Sequence, residues 1–271
     1  MACLLGSLGA VIAFRDLPAI AGRRAVVTGA GNGLGRAIAH ALVAEGAEVI
    51  AVGRHSDTLQ ETRDSAAEPG LVVPCVADVS DERSLEASGL GKGDLEASIV
   101  INNAGVAGPV ASLVDMTVAE WDDVFAVNVR GAFLVLRQTL PAMLREGFGQ
   151  VINMASVTGK RPLARRTPYA ASKMAVIGLT RTLAAEVGPA GIMVNSLSPG
   201  PVRGPRMDRN FLREAEATGT TPEEAERAFV GRAALERLVE AEEVGRAVVA
   251  MLSMPGLCAA DVDLSAGMIA P

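Results

Sequence analysis

The amino-acid sequence predicts an α/β protein in which helices flank a parallel sheet of about seven strands. Short apolar segments alternate with helical stretches along the chain, which is the pattern of successive β–α–β units. Hydrophobic residues make up 49% of the 271 residues, and aromatic residues only 3%. The core must therefore be filled by Ala, Val, Leu and Ile, which suit closely packed parallel strands.

Seven segments are predicted strands, and three longer segments between them are predicted helices. The strands are 24–27, 48–52, 71–76, 98–101, 150–154, 192–197 and 261–264. The helices are 34–45, 121–144 and 169–186. Because no repeat or Pro/Ser-rich linker divides these segments, we expect one domain over residues 22–271, after an N-terminal extension at 1–21.

Residues 202–238 break this alternation, because they are rich in Arg and Glu and contain helical stretches without a strand. They follow the carboxyl end of a predicted strand, where α/β sheets bind their ligands. We therefore predict a helical insertion that covers a substrate cleft as a lid. Two ordinary solvated helices are the alternative.

Charge and histidine content argue against several function classes. The chain has 25 basic and 31 acidic residues, a net charge of −6, whereas a nucleic-acid-binding protein needs a concentrated basic face. His40 and His55 are the only histidines of the chain. This scarcity argues against a zinc site and against a histidine-based catalytic triad, so we expect no bound metal.

Cys3, Cys75 and Cys258 have no metal-ligand spacing, and three cysteines cannot all pair within one chain. We therefore expect buried, reduced thiols and a cytoplasmic protein. Residues 1–14 are apolar but too short to span a bilayer. We expect them to form a loose or surface-packed extension, and we expect no membrane span.

A glycine-rich turn follows the first predicted strand and opens the first helix. It reads Thr-Gly-Ala-Gly-Asn-Gly-Leu-Gly over residues 28–35. Glycines let the backbone approach a pyrophosphate, and the helix N-terminus supplies amide donors with partial positive charge. Because strand, turn and helix occur together, the segment predicts a nucleotide-binding site. Its predicted cofactor contacts are Thr28, Gly29, Asn32, Gly33, Leu34 and Gly35.

Arg54 follows the second predicted strand, where a carboxylate would accept hydrogen bonds from the adenosine ribose of NAD. A guanidinium instead suits the 2′-phosphate of NADP through charge-assisted, bidentate contacts. We therefore favour NADP as the cofactor, with NAD as the alternative. An ordinary exposed arginine is the simpler interpretation of the same residue.

Tyr169 is the only tyrosine, and Lys173 follows it by four residues, so both side chains share one face of a predicted helix. The pKa of a free phenol is about 10, and a neighbouring ammonium ion, together with a cationic nicotinamide, lowers it toward neutrality. Such a phenol is an efficient general acid or base. On its own, however, a Tyr-x-x-x-Lys pair is common on helix surfaces.

Several motifs occur together in this chain. They are the turn 28–35, Asn102-Asn103-Ala104-Gly105, Asn128, Ser156, Tyr169-Ala170-Ala171-Ser172-Lys173 and Pro199-Gly200. In their order and spacing the sequence resembles the classical short-chain dehydrogenases/reductases over about residues 22–268. The resemblance implies a Rossmann-type, doubly wound sheet and hydride transfer between NADP(H) or NAD(H) and a secondary alcohol or ketone. A catalytically silent nucleotide sensor or scaffold with the same fold is the alternative.

The resemblance also implies a catalytic tetrad. Tyr169 exchanges a proton with the substrate oxygen, and Lys173 lowers the pKa of the phenol and holds the nicotinamide ribose. Ser156 hydrogen-bonds the substrate oxygen, and Asn128 holds a water that links Lys173 to solvent. Further implied cofactor contacts are Asp78 and Val79 at the adenine, Asn103 and Gly105 along the riboses, and Pro199, Gly200 and Val202 beside the nicotinamide.

Three features depart from the family pattern. Gly204 lies near a position where many members carry a hydroxyl residue that touches the nicotinamide carboxamide. Residues 85–96 look short for the helix expected between the third and fourth strands. The last predicted strand, 261–264, lacks the usual Thr-Gly lead-in. None of these departures touches the tetrad.

Basic residues flank the predicted cleft. They are Lys160, Arg161, Arg165 and Arg166 before Tyr169, and Arg203, Arg206 and Arg209 at the start of the insertion. If some of them converge on the mouth of the cleft, the substrate is anionic. A solvated loop, or ion pairs across a subunit boundary, is the interpretation that we favour.

Members of this family are usually tetramers or dimers that pack their long helices together. Residues 119–144 offer an apolar face for such packing, so the resemblance implies a homotetramer or a homodimer. Burial of the same face against the sheet of its own chain is the alternative.

Overall fold

The computed structural model describes residues 17–161 and 163–268. In these residues seven parallel strands form one sheet in the order β3-β2-β1-β4-β5-β6-β7. The strands are β1 (Arg24–Thr28), β2 (Glu48–Gly53), β3 (Val72–Val76), β4 (Ile99–Asn102), β5 (Gly149–Met154), β6 (Ile192–Pro199) and β7 (Asp261–Leu264). The predicted α/β fold is confirmed, whereas the predictions for residues 1–14 and Cys3 lie outside the described residues.

Helices pack against both faces of the sheet. They are α1 (Gly33–Ala44), α2 (Ser56–Asp64), α3 (Glu82–Ser88), α4 (Val118–Phe125), α5 (Gly131–Glu146), α6 (Val157–Lys160), α7 (Thr167–Val187), α8 (Pro205–Thr218), α9 (Pro222–Val230) and α10 (Ala241–Leu252). The helix predicted over 121–144 corresponds to α4 and α5, which a π-helical turn at Ala126–Arg130 joins. Apolar residues continue through this turn, so the sequence pattern alone does not reveal it.

The central strands are buried on both faces, which explains why they are nearly continuous apolar runs. Successive residues of β1 point into different cores. Val27 belongs to the core that also contains Val248 of α10, and Val26 belongs to the core that also contains Val135 of α5. Substituting either valine by a polar residue would bury an unsatisfied group, so both faces constrain the sequence.

The strand order reverses between β1 and β4, which are neighbours in the sheet. Strands β2 and β3 extend the sheet on one side of this pair, and β5, β6 and β7 extend it on the other. At such a switch point the loops that leave the two carboxyl ends diverge and leave a crevice between them. The glycine turn 28–35 follows β1 and the loop 103–117 follows β4, so both lie at this crevice.

The region predicted as a helical insertion contains α8 and α9. Its described residues take part in no strand, and Val202 and Val239 at its ends form an isolated β-bridge. The two helices pack around Phe211, Ala225 and Leu238, which form a cluster apart from the two cores of the sheet. The insertion therefore has a small core of its own.

Two shorter features also bear on the sequence predictions. Helix α3 ends at Ser88, where Gly89 adopts a left-handed conformation, so the helix before β4 is as short as expected. Cys75 is buried, and burial raises the pKa of its thiol. Cys258 is exposed in the connection between α10 and β7, so the prediction that it is buried is wrong. None of the helices in the described ranges has the length and hydropathy of a membrane span.

Candidate active site

The glycine turn between β1 and α1 brings two parts of the backbone very close together. A Cβ atom on Gly35 would overlap the carbonyl oxygen of Gly29, so a larger residue there would displace the turn. A Cβ atom on Gly33 would point into open space. The side chain of Asn32 makes no capping hydrogen bond to α1, and Leu34 packs against the core below. The turn therefore leaves an open cradle before the first amides of α1, which suits a phosphate.

Thr28 and Asn103 join the glycine turn to the loop after β4. The hydroxyl of Thr28 accepts hydrogen bonds from the backbone amides of Asn103 at 3.0 Å and Ala104 at 2.9 Å. The side-chain amide of Asn103 donates to the carbonyl oxygen of Thr28 at 2.9 Å. Thr28 is only 1% exposed. These two side chains therefore set the relative position of the two walls of the crevice.

Arg36, in the first turn of α1, links the glycine turn to α2, a role that is not predicted from the sequence. Its guanidinium donates to Thr62 Oγ1 at 3.0 Å and to Glu61 at 2.9 Å, and also to the carbonyl oxygen of Gly31. Thr62 in turn donates to the carbonyl oxygen of Ala30 at 2.8 Å. The partners lie on different elements, so only the position of an arginine directly after the turn could have suggested this contact.

Arg54 is exposed between β2 and α2, and its charge acts on Asp78 beyond β3. Burial raises the pKa of the Asp78 carboxyl, but hydrogen bonds from the hydroxyl and amide of Ser80, together with the charge of Arg54, outweigh burial and leave this pKa below its usual range. Val79 is 7% exposed beside Asp78. The structure therefore brings the predicted adenosine-binding residues together at the carboxyl ends of β2 and β3.

Tyr169 and Lys173 lie one turn apart on α7, as their spacing predicts. The Lys173 Nζ atom is 5.8 Å from the centroid of the Tyr169 ring, and it donates a hydrogen bond to the carbonyl oxygen of Met154 at 2.7 Å. Lys173 is only 5% exposed. The structure thus holds a buried ammonium ion between the end of β5 and the phenol.

Asn128 lies in the π-helical turn between α4 and α5 and joins this turn to two other elements. Its Oδ1 atom accepts from the amide of Val106 at 2.8 Å. Its Nδ2 atom donates to the carbonyl oxygen of Val106 and to the hydroxyl of Ser172, both at 3.0 Å. A Cβ atom on Gly105 would lie 3.2 Å from Asn128 Oδ1 and 3.5 Å from Lys173 Nζ. Asn128 and Lys173 therefore flank the loop after β4, and π-helical turns are frequent at functional sites.

Ser156 follows β5 and is the N-cap residue of α6. Its hydroxyl oxygen accepts a hydrogen bond from the backbone amide of Thr158 at 3.2 Å, and the residue is 7% exposed. The amide of Ala155 donates to the carbonyl oxygen of Leu197 in β6 at 2.8 Å, which fixes the chain just before Ser156. As an acceptor in its cap, the hydroxyl keeps its hydrogen for a substrate oxygen.

Pro199 and Gly200 lie at the end of β6, against the segment that follows β7. The amide of Gly200 donates to the carbonyl oxygen of Leu264 at 2.8 Å, and a Cβ atom on Gly200 would lie 2.8 Å from the Cα atom of Ser265. Gly204, which departs from the family pattern, is the N-cap residue of α8 and has a φ of 147°. Side chains rarely adopt this backbone conformation, which accounts for glycine at this position.

Five of the basic residues near the cleft bind protein groups within the chain. Lys160 contacts Asp261 and Asp263, Arg161 donates to the carbonyl oxygen of Met268 at 2.6 Å, and Arg203 contacts Glu226 and Glu240, each at 3.0 Å. Arg165 and Arg166 reach backbone carbonyls of the loop after β4 at 3.4 Å. This arrangement weakens the anionic-substrate hypothesis for Lys160, Arg161 and Arg203, because their charges and donors are already engaged.

Comparisons with known proteins identify relatives over most of the chain. A family model described as short chain dehydrogenase matches residues 23–216. One relative is the levodione reductase of Leifsonia aquatica, which is 36% identical over 236 residues, covering 85% of this chain and 87% of that protein. The family-model match, residues 23–216, includes the glycine turn and all four residues of the predicted tetrad.

Two solved structures share the fold over nearly their whole length. The L-sorbose reductase of Gluconobacter frateurii, in complex with NADPH and L-sorbose, has a TM-score of 0.85 at 25% identity, and the match covers 93% of this chain and 98% of that one. NAD⁺-bound xylitol dehydrogenase has a TM-score of 0.82 at 27% identity, with coverage of 91% and 99%. One neighbour holds NADPH and the other NAD⁺, so the comparisons favour neither cofactor.

The hydrogen bonds of Thr28 can be tested by substitution. We expect Thr28→Val to lower the free energy of unfolding by about 1–3 kcal/mol, because two amides of the loop after β4 lose their acceptor. Urea denaturation measures this change. Thr28→Ser is the matched control, since it retains the hydroxyl and should lose clearly less stability. Equal losses in both variants would show that the hydroxyl does not hold this loop.

Proposed function

The chain belongs to the short-chain dehydrogenase family, and we propose that it transfers a hydride between NADP(H) or NAD(H) and a secondary alcohol or ketone. The observation that carries the proposal is the buried ammonium ion of Lys173 beside the Tyr169 ring. A protein that only bound a nucleotide would need the glycine cradle but not a cation placed to perturb a phenol. This argues against the silent sensor or scaffold.

The cofactor, when bound, supplies the hydride chemistry. We propose that Tyr169 gives a proton to the carbonyl oxygen in reduction and removes it from the alcohol in oxidation. The Lys173 ammonium ion favours the phenolate electrostatically, which makes proton exchange efficient near neutral pH. Ser156 donates a hydrogen bond to the same substrate oxygen and stabilises the negative charge that develops there.

The proton that Tyr169 gives up has to be replaced from solvent. Both polar atoms of the Asn128 side chain bind protein groups, namely Val106 and Ser172. We therefore propose that the water of the relay binds to the backbone of the π-helical turn, where the regular hydrogen-bond pattern is interrupted. In this proposal the side chain of Asn128 shapes the turn, and Lys173 passes the proton on.

The open cradle of the glycine turn fits the pyrophosphate of a dinucleotide, and we assign that group to the amides of residues 29–35. Asp78 and Val79 would contact the adenine, Gly105 and Lys173 the nicotinamide ribose, and Pro199, Gly200 and Val202 the nicotinamide. Thr28 and Asn103 bind each other's backbone, so we propose that they contribute by shaping the crevice.

We favour NADP over NAD because of the charges around Arg54. This arginine is exposed at the end of β2, and its field reaches Asp78. Helix α2 begins at Ser56, two residues after Arg54, and the contacts of Arg36 and Thr62 hold this helix against the glycine turn. A 2′-phosphate bound here would meet a guanidinium and the N-terminus of a helix, both of which favour anions.

We further propose that residues 22–271 act as one domain and that the insertion 202–238 covers the substrate. The position of the insertion after β6, at the carboxyl edge of the sheet, supports this role. We propose a cytoplasmic location, because the exposed thiol of Cys258 suits a reducing compartment.

We also propose that the protein is a homotetramer or a homodimer. Large apolar side chains are exposed along the long helices: Phe133 is 49% exposed and Leu144 is 46% exposed on α5, and Met174 is 46% exposed on α7. Side chains such as Val135 on the other face of α5 are buried against the sheet. Helix α5 thus exposes large apolar side chains beside Arg137 on its outer face, in addition to the face that packs on its own sheet.

The role of Tyr169 is tested with Tyr169→Phe. We expect this variant to bind NADPH as the unaltered protein does but to lose turnover by more than about 100-fold, because it lacks the hydroxyl that exchanges the proton. Turnover is measured at the absorbance of the reduced nicotinamide, with levodione, L-sorbose and xylitol as probes and with both cofactors. Undiminished activity of the variant would contradict the assigned role.

The preference for NADP is tested with Arg54→Gln. We expect KM for NADP(H) to rise about 10- to 100-fold, because a charge-assisted contact to the 2′-phosphate is lost, and KM for NAD(H) to change little. Arg54→Lys is the matched control, since it keeps the charge but loses the bidentate geometry and should have a smaller effect. An equal change in KM for both cofactors would contradict the assignment.

The oligomeric state is tested by sedimentation velocity at micromolar concentration. We expect a dimer or tetramer for the unaltered protein and dissociation in Phe133→Glu, because the substitution places a charge in the apolar contact between long helices. Glu146→Lys, at the end of α5, is the control for a general effect of charge. A monomer of the unaltered protein would overturn the proposal.

A further inference from the structure

Lys160 joins the segment after Ser156 to the last strand of the sheet. It is the final residue of α6, the short helix for which Ser156 is the N-cap residue. Its ammonium group donates to Asp261 Oδ2 at 2.6 Å and also contacts Asp263. Both carboxylates belong to β7, which lies at one edge of the sheet. The contact therefore connects the neighbourhood of the substrate oxygen to a strand that itself carries no tetrad residue.

Asp261 is a firm anchor for this contact. Its side chain is only 4% exposed, and its Oδ1 atom accepts hydrogen bonds from the hydroxyls of Ser196 and Ser198 in β6, both at 2.8 Å. Its Oδ2 atom accepts from Lys160. A buried carboxylate is stable only when it is paired and hydrogen-bonded, so Asp261 and Lys160 depend on each other.

Helix α6 needs such anchors because it contains only four residues, fewer than an isolated helix requires. On one side it packs on α7, where a Cβ atom on Gly159 would lie 3.2 Å from the amide nitrogen of Met174 and 3.3 Å from the carbonyl carbon of Lys173. On the other side it is held by Lys160, and the next residue, Arg161, bonds the carbonyl oxygen of Met268. Helix α6 is thus held by α7 on one side and by β7 and the segment after it on the other.

We propose that Lys160 is a positioning residue for Ser156: by fastening α6 to Asp261 and Asp263, it holds the Ser156 hydroxyl in the orientation that the reaction needs. The hydrogen bond from the amide of Thr158 to the Ser156 hydroxyl, at 3.2 Å, connects α6 to Ser156. This bond requires that α6 keep its helical conformation. Lys160 does not act on the substrate itself, since two carboxylates engage its ammonium group. The inference rests on the proposed role of Ser156 and adds a residue outside the tetrad.

The kinetic test combines Lys160→Met with Ser156→Ala in a double-mutant cycle. We expect Lys160→Met to lower kcat about 10- to 100-fold, because misplacing a group near the reacting atoms costs up to that factor, and to leave the Kd for NADPH unchanged. In the Ser156→Ala background, Lys160→Met should cause no further loss, because the group that it positions is already absent. The assay uses whichever of levodione, L-sorbose and xylitol the unaltered protein turns over.

A second readout does not depend on turnover. Amide hydrogen exchange in the protein without cofactor should become faster at residues 157–160 in Lys160→Met, because α6 loses its anchor. Arg24→Met is the matched control. It breaks an ion pair of 2.7 Å with Glu48 at the amino ends of β1 and β2, away from the candidate site, and it should change neither kcat nor exchange in α6. Lys160→Arg should restore most of the activity, since it can still pair with both carboxylates.

The kinetic and the exchange experiments can each overturn the proposed role of Lys160. Unchanged kcat, or an equal further loss in the Ser156→Ala background, overturns the role of Lys160. Unchanged exchange in α6 overturns it independently. If Lys160→Met does not fold, Asp263→Asn takes its place, because this carboxylate is 40% exposed and its loss keeps Asp261 paired; a smaller effect of the same kind is expected. A third outcome separates the two proposals. If hydrogen exchange in α6 becomes faster in Lys160→Met but the unaltered protein turns over none of the probes, the result counts against the proposed function and still supports Lys160 as the residue that holds α6.

Discussion

The candidate site depends on holding the amino group of Lys173 in place although the residue is only 5% exposed. A buried cation is stable only where protein groups replace the water that it has lost. The carbonyl oxygen of Met154 accepts a hydrogen bond from it at 2.7 Å, and the face of the Tyr169 ring lies 5.8 Å away. The end of β5 and the first turns of α7 must therefore meet at one point. They can meet because the strands are parallel, so their carboxyl ends all lie along one edge of the sheet.

Small residues allow the surrounding elements to reach that point. The loop after β4 passes Lys173 at Gly105, where a Cβ atom would lie 3.5 Å from the ammonium nitrogen, and α6 packs on the backbone of α7 at Gly159. Close packing at these contacts keeps Lys173 only 5% exposed, and electrostatic interactions are stronger where exposure to water is low. The absence of a side chain at Gly35 likewise lets the glycine turn pack closely and leave an open cradle that suits a phosphate. The glycine turn and the surroundings of Lys173 thus both depend on small residues near the carboxyl ends of the strands.

Sequence patterns predicted the parts of the site that local signals determine. Apolar runs predicted the seven strands, the glycine cluster predicted the turn after β1, and helical spacing placed Tyr169 and Lys173 on one face of α7. The π-helical turn was not predicted, because apolar residues continue through it and the partners of Asn128, Val106 and Ser172, are distant in sequence. Lys160 was grouped with the cations of the cleft, since its partner Asp261 is distant in sequence and no local pattern relates the two. Contacts of this kind depend on the folded sheet.

The insertion 202–238 is attached to the rest of the chain in part through exposed ion pairs. Helices α8 and α9 pack around a cluster of their own, and Arg203 at their base is paired with Glu226 and Glu240 although its side chain is 46% exposed. Exposed ion pairs of this kind contribute about 0–1 kcal/mol each. Substitutions in the insertion therefore disturb the sheet little, whereas a substitution that removes the buried Lys173 disrupts the point where β5 and α7 meet. It follows that the insertion and the surroundings of Lys173 are structurally separable parts of the chain, and that the insertion tolerates variation that the contact between β5 and α7 does not.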